Sequence, residues 1–547
     1  MPENTTVGDV IAAYLEACGL TTAFGVISIH NMPILDAIAR RGRIRFVPAR
    51  GEIGALNMAD AYARVSGGLG VGITSTGVAA GNAAGSMVEA LTAGSPVLHL
   101  TGQIESGYMD RARSYIHEAH KQPDMLKAVS KAYFRVWSPE QALGVIKEAI
   151  RTALTAPTGP VSVEIPIDIQ GATCEMPADL SVLPIPAPEP SPHLLDHLAE
   201  RVANARRPIF WLGGGARGAA EPARKLADMG VGVVTSVNGR GIVPEDHPMS
   251  LGAFNVSKPV EEFYATCDLM VAVGSRLRGN ETLKYTLKLP QPLIQVDADP
   301  AMDGRSYPNA LFIHGDSNAV LSGLAERLDG RLKTDNAFGG DLAAAKDAAI
   351  DDLRAGLGDA YAAIVDQLRA AYPEGGPWVR DITVSNSTWG NRYVDLGYPR
   401  QGVHSLGGAI GQGLPMAIGA ALAAPDTKTV ILSGDGGLIM NVGEFATAKQ
   451  EAADITMILM NDGGYGVIRN IQDALYGGRQ HYSDLTTPDF GHLCASLDIP
   501  RWLVQTPEAF GAAFDSALAV EGPSVVEIDM LALGPYARSF AGPPVRK

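Results

Sequence analysis

Residues 429–464 read TVILSGDGGLIMNVGEFATAKQEAADITMILMNDGG, and their order decides the fold. Residues 429–433 form a short apolar run of strand length, and Gly434-Asp435-Gly436-Gly437 follows as a backbone-permissive loop. Residues 441–453 have helical character, and residues 455–460 are a second apolar run that ends in Asn461-Asp462-Gly463-Gly464. A strand, a helix and a returning strand make one parallel crossover unit, which places Asp435 and Asp462, 27 positions apart, at the same edge of neighbouring strands. Ligands of open α/β sheets bind at that carboxyl edge. Two oxygen-bearing side chains there suit a hard cation such as Mg2+, completed by water and phosphate oxygens. The glycines leave backbone amides open to a diphosphate.

Working outward, the same plan of strand, glycine-rich loop, helix and strand recurs in VGITSTGVAAGNAAGSMVEALTAGSPVLHLTG at 71–102, which suggests two related halves. A third instance, PIFWLGGGARGAAEPARKLADMG at 208–230, contains Gly213-Gly214-Gly215, either a phosphate approach or a tight turn before a helix. Two stretches break the pattern and read as linkers, 175–192 and 332–340. The expected architecture is therefore three doubly wound parallel-sheet α/β domains, over 1–178, 190–332 and 345–547. The N-terminus reads as a capped helix starting near Thr5 or Thr6, with acidic residues where an export signal would be basic.

The 547 residues carry a formal net charge of −15, which disfavours a nucleic-acid or anionic-membrane footprint and leaves any anionic ligand to a local site. Apolar runs stop far short of the roughly 20 residues that span a bilayer, so no membrane partner is expected. The four cysteines, Cys18, Cys174, Cys267 and Cys494, lack CxxC spacing, and a reducing cytoplasm is the expected compartment.

With GDG followed 27 positions later by the Asn-Asp pair, the chain resembles the thiamine-diphosphate-dependent decarboxylase and carboligase superfamily, which includes acetolactate synthase and benzaldehyde lyase. The resemblance runs over nearly the full chain. It implies thiamine diphosphate and Mg2+ as cofactors, with Asp435, Asp462 and the Gly464 carbonyl as metal ligands and Gly436 and Gly437 at the diphosphate. Ser387 and Thr388 of SNSTWG would also contact the diphosphate, although such residues often only cap turns. The family's usual ligand Asn is Asp462 here, so the pair of carboxylates carries one more negative charge, and tighter divalent binding is the expectation.

The same resemblance assigns Glu52, in RGEIGALNMADAYARVSG, as the cofactor-activating carboxyl; otherwise Glu52 is a first-turn residue favoured by the helix dipole. In HSLGGAIGQGLPMAIG, Ile410 falls where an apolar residue wedges between the cofactor rings, and the Gly408 carbonyl would accept from its amino group. Tyr465, Ile468 and Ile471 are expected to line the pocket, while Arg469 or Arg538 is a candidate for a substrate carboxylate. His30 and His117 are candidates for proton transfer, since an imidazole titrates near neutrality, and His120 has a weaker claim. Each is also readable as an ordinary loop histidine.

The implied reaction adds the activated cofactor to a 2-oxo acid or 2-hydroxy ketone. From a 2-oxo acid, loss of CO2 leaves an enamine that either takes a proton or attacks a second carbonyl; from a 2-hydroxy ketone the same steps run in reverse and release an aldehyde. Because Glu52 and the metal residues lie in different domains, the family's arrangement implies a homodimer at minimum and a homotetramer in prospect. Acetolactate synthase is the alternative, on the strength of HPMSLGAFN and AVGSRLRGNETL, as is a 2-hydroxy ketone or 2-hydroxyacyl lyase. The acetolactate synthase match is partial, with Asn280 at the position of that enzyme's second arginine, which weighs against FAD.

Overall fold

The computed structural model describes residues 5–542. Thr6 caps the first helix, Val7–Ala17, through a reciprocal pair in which Thr6 N donates to Asp9 Oδ2 at 2.8 Å and Asp9 N donates to Thr6 Oγ1 at 3.3 Å. Three parallel sheets follow along the chain. The first contains β1 (Thr22–Gly25), β2 (Arg45–Pro48), β3 (Gly70–Thr74), β4 (Val97–Gln103), β5 (Ala132–Arg135) and β6 (Val161–Pro166). The middle sheet contains β7 (Pro208–Leu212), β8 (Gly232–Thr235), β9 (Leu269–Val273), β10 (Leu293–Asp297) and β11 (Leu311–His314). The third contains β12 (Trp378–Arg380), β13 (Gly402–His404), β14 (Thr429–Gly434), β15 (Ile455–Asn461), β16 (Arg501–Val504) and β17 (Ser524–Asp529).

The strand orders are β2-β1-β3-β4-β6-β5, β11-β10-β9-β7-β8 and β13-β12-β14-β15-β17-β16. Counted from the start of each domain, the first and third orders are identical, so the two halves share one topology as well as one sequence plan. Each of these sheets is covered by helices on both faces, which is why the strands read as continuous Val, Ile and Leu runs without alternation. The architecture is α/β with three doubly wound domains, as the crossover pattern indicates.

The first and third domains are joined through a common core. Helix Glu52–Ser66 lies against helix Gly413–Ala423 so closely that a Cβ on Gly419 would stand 2.1 Å from the Met58 carbonyl oxygen. Leu56, Met58, Leu414, Met416, Ile418 and Phe445 are buried together there. The middle sheet has its own cores on its two faces. Helix Phe338–Leu357 runs across the boundary expected near residue 345, because Phe338 and Leu342 are buried against Phe263 of the middle domain while Leu357 packs into the third.

The sequence reading of 434–453 differs in one respect. Asp435 is already the first residue of a short helix, Asp435–Leu438, with Gly434 as its cap, and the chain reaches the next helix, Glu444–Gln450, through a single turn. The glycines serve close approach rather than a loop: a Cβ on Gly437 would sit 3.0 Å from Asp381 Oδ2. The amide groups of this first turn therefore lie at the sheet edge.

Candidate active site

β14 and β15 run in parallel with Gly434 opposite Met460, so Asp435 and Asp462 emerge beside one another from adjacent strand ends. Asp462 N donates to Asp435 Oδ1 at 3.3 Å. Asp435 Oδ2 is buried and accepts no hydrogen bond, while Asp462 Oδ1, also buried, faces the Arg469 guanidinium at 2.9 Å. Burial, and after it the neighbouring charge of Asp462, pushes the Asp435 carboxyl up to about 6. Burial also raises Asp462, against the pull of Arg469. Two neighbouring carboxylates with an unclaimed, buried oxygen on Asp435 are costly without a further cation beside them.

The third expected ligand is at hand. A Cβ on Gly436 would lie 2.6 Å from Gly464 O and 2.8 Å from the Tyr465 ring, so the Gly464 carbonyl and Tyr465 both face the GDG turn. Gly463 and Gly464, at φ 76° and 149°, occupy backbone that side-chain-bearing residues rarely adopt, which holds that carbonyl in place. Tyr465 N is tied to Ser483 O at 2.8 Å. Acidic oxygens, a carbonyl and open glycine amides are a donor set that fits a Mg2+-diphosphate.

Three expectations meet a different geometry. Thr388 Oγ1 donates to the Val384 carbonyl at 2.9 Å, bonding back along its own helical turn as Ser and Thr commonly do. Arg538 is committed to a two-pronged pair with Asp352, at 2.9 and 3.0 Å, and so is turned away from any substrate carboxylate. Arg469 is engaged by the metal loop itself: Nη2 donates to Asp462 O at 2.5 Å and stands 2.9 Å from Asp462 Oδ1, while Nη1 reaches Asp484 Oδ1 at 3.0 Å. The excess negative charge expected from Asp435 and Asp462 is thereby offset. Ser387 lies in the same turn as Thr388, Asn386–Gly390.

After β17 and the short helix Met530–Leu533 the described chain continues through residue 542. Tyr536 is buried with its hydroxyl 2.7 Å from Ser385 Oγ, and the Tyr361 hydroxyl donates to Gly534 O at 2.6 Å. A cavity of about 290 Å3 lies beneath it, lined by Asp462, Arg469, Met530 and Tyr536. Residues 543–547 of the expected tail lie outside the described residues.

The loop carrying Gly408 and Ile410 is clamped at both ends. Glu89 of the first domain accepts from Leu406 N and Gly407 N, each at 2.7 Å, and is itself held by Arg64, which also pairs with Asp60. At the other end Asp381 accepts from Gly411 N at 3.0 Å and Gly413 N at 3.3 Å. Between them Ile410 is only half-buried, which separates it from an ordinary core residue. Glu89 and Asp381 are the positioning residues that the sequence did not reveal. Their visible signals were charges placed in buried surroundings: Asp60, Arg64 and Glu89 within Ala-rich helices, and Asp381 directly after β12.

Glu52 opens its helix after the Gly51 cap, half-buried, and Asn82 Nδ2 donates to its Oε2 at 3.1 Å. His30 and His117 come together edge to face with ring centroids 5.0 Å apart. His30 is buried, its Nδ1 is 3.4 Å from Ser75 Oγ, and its carbonyl accepts from Gln170 at 2.7 Å. Burial, then the charge of His117, lowers its pKa, with Glu105 acting the other way. His120 is exposed. In the middle domain the Gly213–Gly215 turn packs on Gly274, as a tight turn would, and also borders a cavity of about 430 Å3 lined by Arg217, Arg276 and Arg400. No helix among the described residues is long and apolar enough to cross a membrane.

Comparison with known proteins agrees with this geometry. Residues 5–128 match the N-terminal TPP binding domain of thiamine pyrophosphate enzymes, 195–324 their central domain and 383–528 their C-terminal TPP binding domain. A probable 2-ketoarginine decarboxylase of Pseudomonas aeruginosa is 33% identical over 86% of this chain and 84% of its own. The acetolactate synthase isozyme 2 large subunit of Escherichia coli is 28% identical over 94% of both chains, and a chloroplastic acetolactate synthase of Zea mays is 27% identical over 95% and 84%. With its three domains matched in the family's order and a relative 33% identical over most of both chains, the chain belongs to the thiamine pyrophosphate enzymes.

Proposed function

We propose that the protein is a thiamine-diphosphate- and Mg2+-dependent enzyme that cleaves the carboxyl carbon from a 2-oxo acid and releases an aldehyde or joins the remainder to a second carbonyl. The observation that carries this reading is the buried, unclaimed Oδ2 of Asp435 beside Asp462 at one sheet edge, with the Gly464 carbonyl turned to the same GDG turn. Asp435, Asp462 and Gly464 would hold the metal, and Gly436, Gly437, Ser387 and Tyr465 would border the diphosphate. The bound cofactor supplies a carbon nucleophile and an electron sink for the breaking bond.

The chain's own residues then do the following. Glu52, oriented by Asn82, moves the activating proton at its carboxylate. The clamped loop presents Ile410 and the Gly408 carbonyl to the cofactor rings. His30 is held neutral at pH 7 with Nδ1 turned to Ser75, which leaves Nε2 to give or take a proton at the substrate, with His117 beside it. Ile468 and Ile471 contribute apolar surface to the pocket.

The site is completed by a second copy of the chain. Ile27, Ile29, Ile53 and Val78 of the first domain are 60%, 63%, 43% and 77% exposed, apolar surface of the kind a partner would cover. A homodimer is the minimum and a homotetramer the expected assembly. Four unpaired cysteines suit a cytoplasmic setting.

A panel of 2-oxo acids and 2-hydroxy ketones, including pyruvate and 2-ketoarginine, assayed with thiamine diphosphate and Mg2+ for CO2, aldehyde and ligation product, tests the reading. Cofactor-dependent turnover of at least one is expected, and none would overturn it. The second reading, an acetolactate synthase type of carboligase or a 2-hydroxy ketone lyase, is favoured by coverage of the Escherichia coli relative end to end. Acetolactate from pyruvate alone would select it. FAD has no part in the proposed chemistry, and the purified protein should lack flavin absorption in the visible range.

A further inference from the structure

The metal loop contains a charge that the proposed chemistry does not use. Asp435 and Asp462 together bring two negative charges to the ends of β14 and β15, and Arg469, seven positions beyond Asp462 on helix Gly466–Leu475, returns one positive charge to the same place. The chain geometry explains how. After β15 the turn through Gly463 and Gly464 reverses direction, and the first turns of the helix carry Arg469 back over the loop. There Nη2 donates to Asp462 O and Nη1 to Gly463 O at 3.4 Å, so the guanidinium is anchored by the carbonyls of the metal residue and of the glycine after it.

The contact with the carboxylate is a close ion pair, Nη2 standing 2.9 Å from Asp462 Oδ1. The side chain is mostly covered, 18% exposed, and Asp484 braces its far end at 3.0 Å. Burial of this order limits solvent screening of the pair.

We propose that Arg469 is a positioning residue that serves as the fixed counter-ion of Asp462, setting the net charge of the metal site to one negative unit and so setting its affinity for the divalent ion. This inference rests on the metal-and-diphosphate reading of the site. An Asp paired with Arg is then equivalent in charge to the family's Asn, and the departure at Asp462 is balanced within the same loop.

Calorimetric titration of Mg2+ into the intact protein with saturating thiamine diphosphate, and of Mn2+ alone followed by electron paramagnetic resonance, tests it without reference to turnover. Arg469→Gln should tighten divalent binding by about tenfold, because a neighbouring positive charge is removed. Asp462→Asn, with Arg469 left in place, should weaken it by a similar factor, and the Asp462→Asn/Arg469→Gln double variant should return close to the parent. Arg469→Lys, which keeps the charge, should bind as the parent does. If Arg469 only braces the loop, its loss weakens binding in both backgrounds and no compensation occurs, which overturns the inference while leaving the cofactor reading intact. Failure of the parent itself to bind either ion overturns both.

Discussion

Asp462 and Arg469 show how far a single position carries. From the sequence, two acidic ligands imply an over-charged metal site. In three dimensions the guanidinium 2.9 Å from Asp462 Oδ1 removes that excess. From the sequence Arg469 is a candidate for a substrate carboxylate; the turn through Gly463 and Gly464 brings it back to the metal loop. His30 supports a kinetic prediction of the same scale. Burial and His117 hold its pKa below the ordinary 6.5, so it is neutral at pH 7, and a step that needs the neutral ring is lost only as pH falls below that range. In His117→Gln the lowering charge is gone, and the acidic limb of the kcat/KM profile should move to higher pH. An unmoved limb would show that His30 does not control it. Glu52→Gln should reduce turnover by about 100-fold or more, the range of a lost general acid-base group, with the circular dichroism spectrum unchanged.

At the scale of elements, strand ends were legible and clamps were not. Apolar runs and glycine turns fix β14 and β15 to within a residue, since a buried parallel strand admits little else. The helix expected over 441–453 is shorter, because Asp435 begins a helical turn at once and the chain kinks before Glu444. Glu89 and Asp381 were invisible for another reason. Their partners are amides of Leu406, Gly407, Gly411 and Gly413, and Glu89 is more than 300 positions from the amides it holds. No local pattern records such a pairing. Arg64 keeps Asp60 as its partner, so Glu89→Gln chiefly weakens the bonds from the Leu406 and Gly407 amides and should cost about 1–3 kcal/mol of stability, read as a lower thermal midpoint. Ile410→Ala, by contrast, touches a half-buried loop residue. It should weaken thiamine diphosphate binding while leaving that midpoint within a degree or two, and a large loss of stability would return Ile410 to the core.

For the whole molecule, the repeated order 2-1-3-4-6-5 in the first and third sheets puts Glu52 and Asp435 at corresponding carboxyl edges of two like domains. Fold and domain sequence were readable because each crossover unit repeats one pattern. The assembly was reached only through resemblance, and the exposed apolar surface of the first domain now gives it a physical motive. If each site joins the first domain of one chain to the third of another, co-expression of Glu52→Gln and Asp435→Asn chains should restore about a quarter of parental activity, since random pairing gives half heterodimers with one intact site in two. A site built within one chain gives none. The claim beneath all of this is that a divalent ion, held by Asp435 and Asp462, carries the cofactor's diphosphate. Its most direct test is calorimetric titration of thiamine diphosphate into the parent and into Asp435→Asn, with Mg2+ and with EDTA. Tight binding by the parent only when Mg2+ is present, and its loss in Asp435→Asn, is the predicted result; equal binding with EDTA, or in the variant, would contradict it.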